Sequence, residues 1–214
     1  MALTTVQMHD YFAQLIDEVA TGRFSTVQID RFLNLSILDI VDDRIDNIKN
    51  DKPYGVQSVQ RVRDELRTIV KTTTTLTIAT TAFEPDYIIS YPTDYRYGLL
   101  LEVSIGGVMY TSVPKTYDWI GGNKFNPHTK PSPTRVRHIE SDDKINVYTG
   151  GGVIASGQLI YVKNPTTVSF TTPTNTDLPG NLHEEIVRKA SVMALQQMED
   201  INKAVGIEKD EQNS

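Results

Sequence analysis

Four consecutive threonines, Thr72 to Thr75, divide the chain into two kinds of sequence. A run of β-branched residues suits an extended strand and disfavours a helix. Before it, apolar residues recur at helical spacing. After it, they come in short runs separated by Gly, Pro and Asn. From Leu178 onward the helical spacing returns. Segregated runs of this kind imply an α+β fold and argue against a doubly wound parallel sheet. The expected architecture is an N-terminal helical group and a C-terminal helix around a mostly antiparallel β region with a long loop insertion. The implied segments are 1–71 (helical), 72–177 (β, with a loop at 114–133), 178–207 (a helix packing on the N-terminal helices) and 208–214 (a flexible tail).

The spacing of Met8, Phe12, Leu15, Ile16 and Val19 predicts a first helix from about Thr5 to Ala20, with Gly22 placed to cap its end. Ser25 and Gln28 match a capping box for a second helix reaching about Asn47. Its apolar face is Ile29, Phe32, Leu33, Ile37, Ile40 and Val41, widened by Leu35, Leu38 and Ile45. The stretch from Asn50 to Gly55 is a breaker, and Val59, Val62, Leu66 and Ile69 predict a third helix ending near Lys71. Gly106-Gly107, between Leu99–Ile105 and Val108–Val113, marks a hairpin. Arg135–Ile139 and Asn146–Tyr148 suggest a second one. Leu76–Thr81, Tyr87–Tyr91, Gln158–Val162 and Val168–Phe170 are further strand candidates. Asn181 with Glu184 is a start signal for the last helix, whose apolar face is Leu182, Ile186, Ala190, Met193, Ala194 and Ile201, with Gly206 as a stop.

Composition narrows the function. The 214 residues include no Cys, which excludes disulfides, thiolate metal sites and thiol catalysis. Met1–Asp10 has neither a basic nor a long apolar segment, so no secretory signal is expected. No apolar run approaches a membrane span. The formal charge is −6, which argues against a protein that grips nucleic acid by its phosphates. The excess sits at the two ends: residues 1–70 hold 8 Lys+Arg against 11 Asp+Glu, residues 178–214 hold 4 against 7, and 71–177 balance at 9 against 9. No phosphate-binding loop or nucleophile elbow occurs, and His183-Glu184-Glu185-Ile186-Val187 has Val where the zinc motif H-E-x-x-H needs its second His. No catalytic residue, cofactor or metal is expected.

Two sets of residues are candidates for contact with a partner. Asp39, Asp42, Asp43 and Asp46 fall at i, i+3, i+4 and i+7, on one face of the second helix. They form either a solvated face or an acidic patch meeting a basic surface. Tyr117, Trp119 and Phe125 lie in the Gly- and Pro-rich loop. Large aromatics there either tuck onto their own sheet or anchor a neighbour.

The strand Leu159-Ile160-Tyr161-Val162-Lys163-Asn164-Pro165, the polar spacer to Leu178-Pro179, and Leu182–Val187 opening a long helix resemble the closing segment of head-to-tail connector and ring proteins of tailed bacteriophages, podovirus-like and crAss-like phages in particular. Tyr91-Pro92-Thr93-Asp94-Tyr95-Arg96-Tyr97 is similar to the Pro-x-Asp-Tyr lead-in to their β region. The resemblance implies a structural, non-enzymatic role in the virion neck. Copies would form a ring, twelvefold in such proteins, under the portal or an adjoining adaptor. Neighbouring ring or tail proteins would be partners, and genomic DNA would pass through the lumen without specific binding. Assembly would take place in the bacterial cytoplasm, with no membrane involved. Two other readings stand beside it: a binding module outside any virion that uses the Trp119 loop, and a metal-dependent hydrolase drawing on Asp39, Asp42, Asp43 or Asp46.

Overall fold

A computed structural model describes residues 2–16, 24–50 and 66–212, with side chains described as far as Asp46 in the second helix and Met198 in the last. The elements are α1 (Thr5–Ile16), α2 (Thr26–Asn50), β1 (Val70–Thr73), β2 (Ile78–Thr80), β3 (Tyr87–Ser90), β4 (Tyr95–Ile105), β5 (Val108–Pro114), α3 (Tyr117–Asn123), β6 (Arg137–Glu140), β7 (Lys144–Tyr148), β8 (Ile154–Lys163) and α4 (His183–Gln212). The fold is α+β, with helices at the N and C termini and a mostly antiparallel sheet between them in the chain. The chain divides into a helical unit, Met1–Ile69 with Pro165–Ser214, and a β unit, Val70–Asn164. No helix among the described residues is long and apolar enough to cross a membrane.

In the helical unit, α2 starts at the capping box. Ser25 N donates to Gln28 Oε1 at 2.8 Å, and Gln28 N donates to Ser25 Oγ at 3.4 Å. The 3.6-residue period then brings Phe32, Leu33, Ile37, Ile40, Val41 and Ile45 to one buried face. α4 packs against both α1 and α2. It buries Ile186, Val187, Ala190 and Ala194, while α1 buries Met8, Phe12 and Ile16. Phe12, Phe24 and Phe32 form an aromatic cluster with centroids 5.5–6.4 Å apart.

The β unit is an eight-stranded sheet in the order β1-β8-β4-β5-β6-β7-β3-β2. All pairs are antiparallel except β5 with β6, which meet only at Val113↔Arg137 and Pro114↔His138. Gly106 (φ +59°) and Gly107 (φ +81°) occupy the left-handed region, which a two-residue hairpin turn of this twist requires. They set the β4–β5 register from Ile105↔Val108 onward. The sheet curls: Leu76 and Ile78, at the β2 end, cover Gly157 on β8 closely enough that a Cβ there would lie 3.0 Å from Leu76 Cδ1. The enclosed core includes Ile89, Leu101, Val103, Val136, Ile145, Val147, Leu159 and Tyr161.

Several expectations need correction. Arg67–Ile69 is a turn and Val70–Thr73 is strand β1, so no helix reaches Lys71. Leu66 and Ile69 are buried without being helical, and of the threonine run only Thr72 and Thr73 pair on β8, with Ile160 and Leu159. The expected end of the first helix beyond Ile16, the Gly22 cap, the 51–55 breaker and the earlier part of the third helix lie outside the described residues. The β unit closes at Asn164, not at residue 177. Val168–Phe170 is no sheet strand; Ser169 makes only an isolated bridge to Thr174, and this stretch belongs to the helical unit. The 114–133 segment is not purely loop, because it contains α3. α4 runs through Gly206 to Gln212, so residues 208–212 are helical. One glycine inside a helix costs about 1 kcal/mol and is no stop among good helix formers such as the surrounding Glu and Lys.

Candidate interaction surface

The lead-in Tyr91–Tyr97 and the end of β8, Leu159–Asn164, meet in the β unit. Asp94 is the acidic residue of Tyr91-Pro92-Thr93-Asp94-Tyr95, which leads into β4. Its carboxylate accepts from Tyr161 Oη at 2.8 Å and from Lys71 Nζ at 2.6 Å. Its carbonyl accepts from Asn164 N at 2.7 Å. Asn164 Nδ2 in turn donates to the Tyr95 carbonyl at 3.2 Å, and Arg96 donates to Asn164 Oδ1 at 3.3 Å. The hydrogen bond from Lys71 holds the Asp94 carboxyl below its ordinary range. Tyr91, Tyr95 and Tyr161 stack beside it at 4.0 and 5.8 Å. Burial pushes the Tyr91 and Tyr161 hydroxyls up to about 12 and that of Tyr95 higher still, so all three stay protonated at neutral pH. The arrangement is a clamp that fixes the start of β4 against the end of β8.

The segment between β5 and β6 is built, not slack. Thr116 caps α3, its hydroxyl accepting from Trp119 N at 3.3 Å. Asn123 Nδ2 donates to the Trp119 carbonyl at 2.9 Å, and Thr129 Oγ1 donates to Asn123 Oδ1 at 2.6 Å. Arg135 holds the far side through the His128 carbonyl. Ile120 packs with Ile139 and Tyr148, and Trp119 lies half-buried against that cluster. Lys115 Nζ and the Arg137 guanidinium lie 4.9 and 5.6 Å from the indole centroid, cation–π contacts within the same unit. Tyr117 is mostly exposed, but its hydroxyl forms a triangle with Ser141 Oγ (2.8 Å) and Asn146 Nδ2 (3.0 Å). Two of the three aromatics are thus partnered by their own unit. Phe125 is different. It is 87% exposed, and so, at 86%, is Phe83. A Lys124–Glu84 ion pair at 2.9 Å ties the two Phe-bearing loops together. Sequence reading singled out Phe125 but passed over Phe83, whose only signal is an aromatic in the connector Ala82-Phe83-Glu84-Pro85.

The acidic face of α2 turns out to be shared with α4. Lys189 Nζ lies 2.8 Å from Asp39 Oδ2 and 2.5 Å from Asp43 Oδ2, and Arg44 makes a forked contact with Glu185 at 2.8 and 3.1 Å. Asp42 and Asp46 lie on the exposed side of the same face. The ammonium between Asp39 and Asp43 takes the place a metal ion would need. Among the described residues, no group of three or more His, Asp or Glu is placed to hold a metal.

Three of the four histidines, His9, His138 and His183, are buried. His9 Nε2 bonds Asp30 Oδ1 at 2.8 Å and its ring lies 4.7 Å from that of Phe170, whose N donates to Asp30 Oδ2 at 3.0 Å. His183, at the start of α4, donates from Nε2 to the Leu178 carbonyl at 3.0 Å, leaving Nδ1 to accept from Leu3 N at 2.9 Å. His138 Nδ1 and Ser112 Oγ lie 2.9 Å apart, with Glu140 at 4.0 Å from Nε2. This has the composition of a nucleophile triad, but Ser112 is only 3% exposed and no substrate reaches it. Burial pushes His138 down to about 4, and the more distant Glu140 does not offset it.

A scan against protein-family models matches none, and a search of curated proteins finds no match.

Proposed function

We propose that this chain is a structural subunit of a phage virion, one copy of a ring in the head-to-tail connector that joins the portal or an adaptor to the tail and encloses part of the DNA passage. The observation that carries the reading is the Asp94–Tyr161–Asn164 clamp: two stretches that resemble connector proteins, 67 residues apart at Asp94 and Tyr161, act as one structural device. The charge division supports it. The helical unit holds 12 Lys+Arg against 19 Asp+Glu, and the β unit 9 against 8. An acidic helical surface suits a wall past which DNA slides, because each cationic phosphate contact would add salt-dependent affinity. The exposed Phe83 and Phe125 suit a protein whose surface is completed by neighbours.

The same exposed aromatics favour the second reading, a binding module outside a virion. The hydrolase reading is weakened by Lys189, which already neutralises Asp39 and Asp43. Negative-stain microscopy of the chain mixed with the portal protein of the same genome separates the first two. Rings stacked on portals are the expected result; portals that stay bare with the chain in excess would overturn the connector reading.

A further inference from the structure

The sheet of the β unit consists of two antiparallel halves, β1-β8-β4-β5 and β6-β7-β3-β2, joined along the sheet at one parallel seam. The seam is short. Val113 pairs with Arg137 and Pro114 with His138. Val113 N donates across it to the Val136 carbonyl at 3.1 Å, and Lys115 N to the His138 carbonyl at 2.8 Å. Val113 and Pro114 are exposed, so lifting them from β6 disturbs little apolar packing. One side-chain bond also crosses the seam, between His138 Nδ1 and Ser112 Oγ at 2.9 Å. Both residues are nearly sealed from solvent, at 5% and 3% exposed.

A neutral imidazole fits this place and an imidazolium does not. Glu140, on the same strand, lies 4.0 Å from His138 Nε2, too far for a hydrogen bond. Its carboxylate packs instead over Gly98, beside the Tyr95 hydroxyl, with Tyr91 and Asp143 in the same neighbourhood. From β7 the apolar Val147 pairs opposite His138. From β5 the neighbour is the uncharged Ser112. Lys115 and Arg137, at the seam itself, lie over the Trp119 indole. A buried cation without a bonded anion is strongly disfavoured.

We propose that Val113–Lys115 part from Val136–His138 when His138 takes up a proton, which makes the seam an acid-released latch within the β unit. Parting lets water reach the imidazolium. The flanks hold their places: α3 stays on the β6–β7 side through Ile120 against Ile139 and Tyr148, and β5 stays on β4 from Ile105↔Val108 to Leu101↔Ser112. A local opening of this size needs much less free energy than global unfolding. Burial holds the closed-form His138 at about 4, and an opened one returns toward its ordinary 6.5. The opened fraction should therefore rise about twentyfold between pH 7 and pH 5. The latch does not depend on the ring reading.

Hydrogen exchange of the Val113 and Lys115 amides reads the seam directly, as protection corrected for the intrinsic rate at each pH. At pH 7 these two amides should be about tenfold or more less protected than the β4–β8 ladder, and dilute urea should leave their exchange unchanged. Their protection should fall about twentyfold from pH 7 to pH 5. His138→Gln should abolish that fall. Ser112→Ala, which keeps the histidine and removes the side-chain bond across the seam, should speed exchange of the same amides about three- to tenfold at pH 7, and it provides the test if His138→Gln does not fold. Seam amides that share the rate and the urea dependence of the β4–β8 ladder would overturn the proposal. So would protection that does not change between pH 7 and pH 5, a fall that persists in His138→Gln, or indifference to Ser112→Ala.

Discussion

The helical unit and the β unit hold distant parts of the chain together by different means. In the helical unit the joins are side-chain bonds. Asn34 both donates to and accepts from the backbone of Val168, at 3.0 and 2.8 Å. Thr5 bonds Thr174 and Asn175, His183 bonds Leu3, and Ser36 Oγ donates to the Ile186 carbonyl at 2.7 Å. In the β unit the joins are mainly backbone ladders within one continuous stretch, supplemented by the Asp94 clamp, and most inward side chains fill an apolar core. The difference predicts two kinds of sensitivity. The helical unit should respond to loss of single polar groups, and the β unit to loss of volume.

The largest effect should come from volume. Leu101, 2% exposed in the β core, changed to Ala should cost about 2–5 kcal/mol. Hydrogen exchange should then rise across residues 70–164 and stay protected in α1, α2 and α4. Protection lost equally in both units would break the contrast. Next comes Asn34→Ala. It strands a buried N–H and C=O at Val168 and should cost about 2–3 kcal/mol, with the rise in exchange confined to the helical unit.

His138 is a buried titratable group of the β unit, and it sharpens the comparison. His138 has a folded-state pKa of about 4, below its ordinary 6.5. Between these values the unfolded chain binds a proton that the folded chain refuses. Stability is therefore complete above about 6.5 and declines as the pH falls toward 4, by roughly 2–3 kcal/mol. Urea unfolding followed from pH 7 to 4.5 should show this slope, and His138→Gln should flatten it. A smaller loss, about 1–2 kcal/mol, is expected for Trp119→Ala, which removes the indole from the Ile120–Ile139–Tyr148 cluster and from Lys115 and Arg137. Smallest is Asp43→Asn. Its ion pair with Lys189 is exposed, so the melting curve should move by less than about 1 kcal/mol in stability, with no change of fold.

What the sequence disclosed follows the same division. Local patterns were legible: the α2 face, its capping box, the Gly106-Gly107 hairpin and the β6–β7 hairpin all depend on residues close in the chain. Contacts between distant residues were not. Val168–Phe170 has strand-forming residues, but its backbone is taken up by Asn34 and Asp30, more than a hundred residues earlier. The 3-4-3 spacing that ends at Leu66 and Ile69 fits burial in a turn as well as it fits a helix. Gly121-Gly122 hid α3, although Thr116 before Asp118 is an N-terminal cap signal. In the candidate site, the aromatic segment was visible, but the split within it was not. Trp119 and Tyr117 find partners through residues of β6 and β7 and the turn between them, while Phe125 and Phe83 do not. The acidic stripe was visible too, and Lys189, far along the chain, determines that half of it is an internal contact.

Native mass spectrometry of the chain titrated onto the portal protein proposed as its partner tests the central claim most directly. The account predicts one saturated complex with a fixed number of copies on each portal ring. Portal rings that remain unbound at every ratio, or that take up an indefinite number of copies, would contradict it.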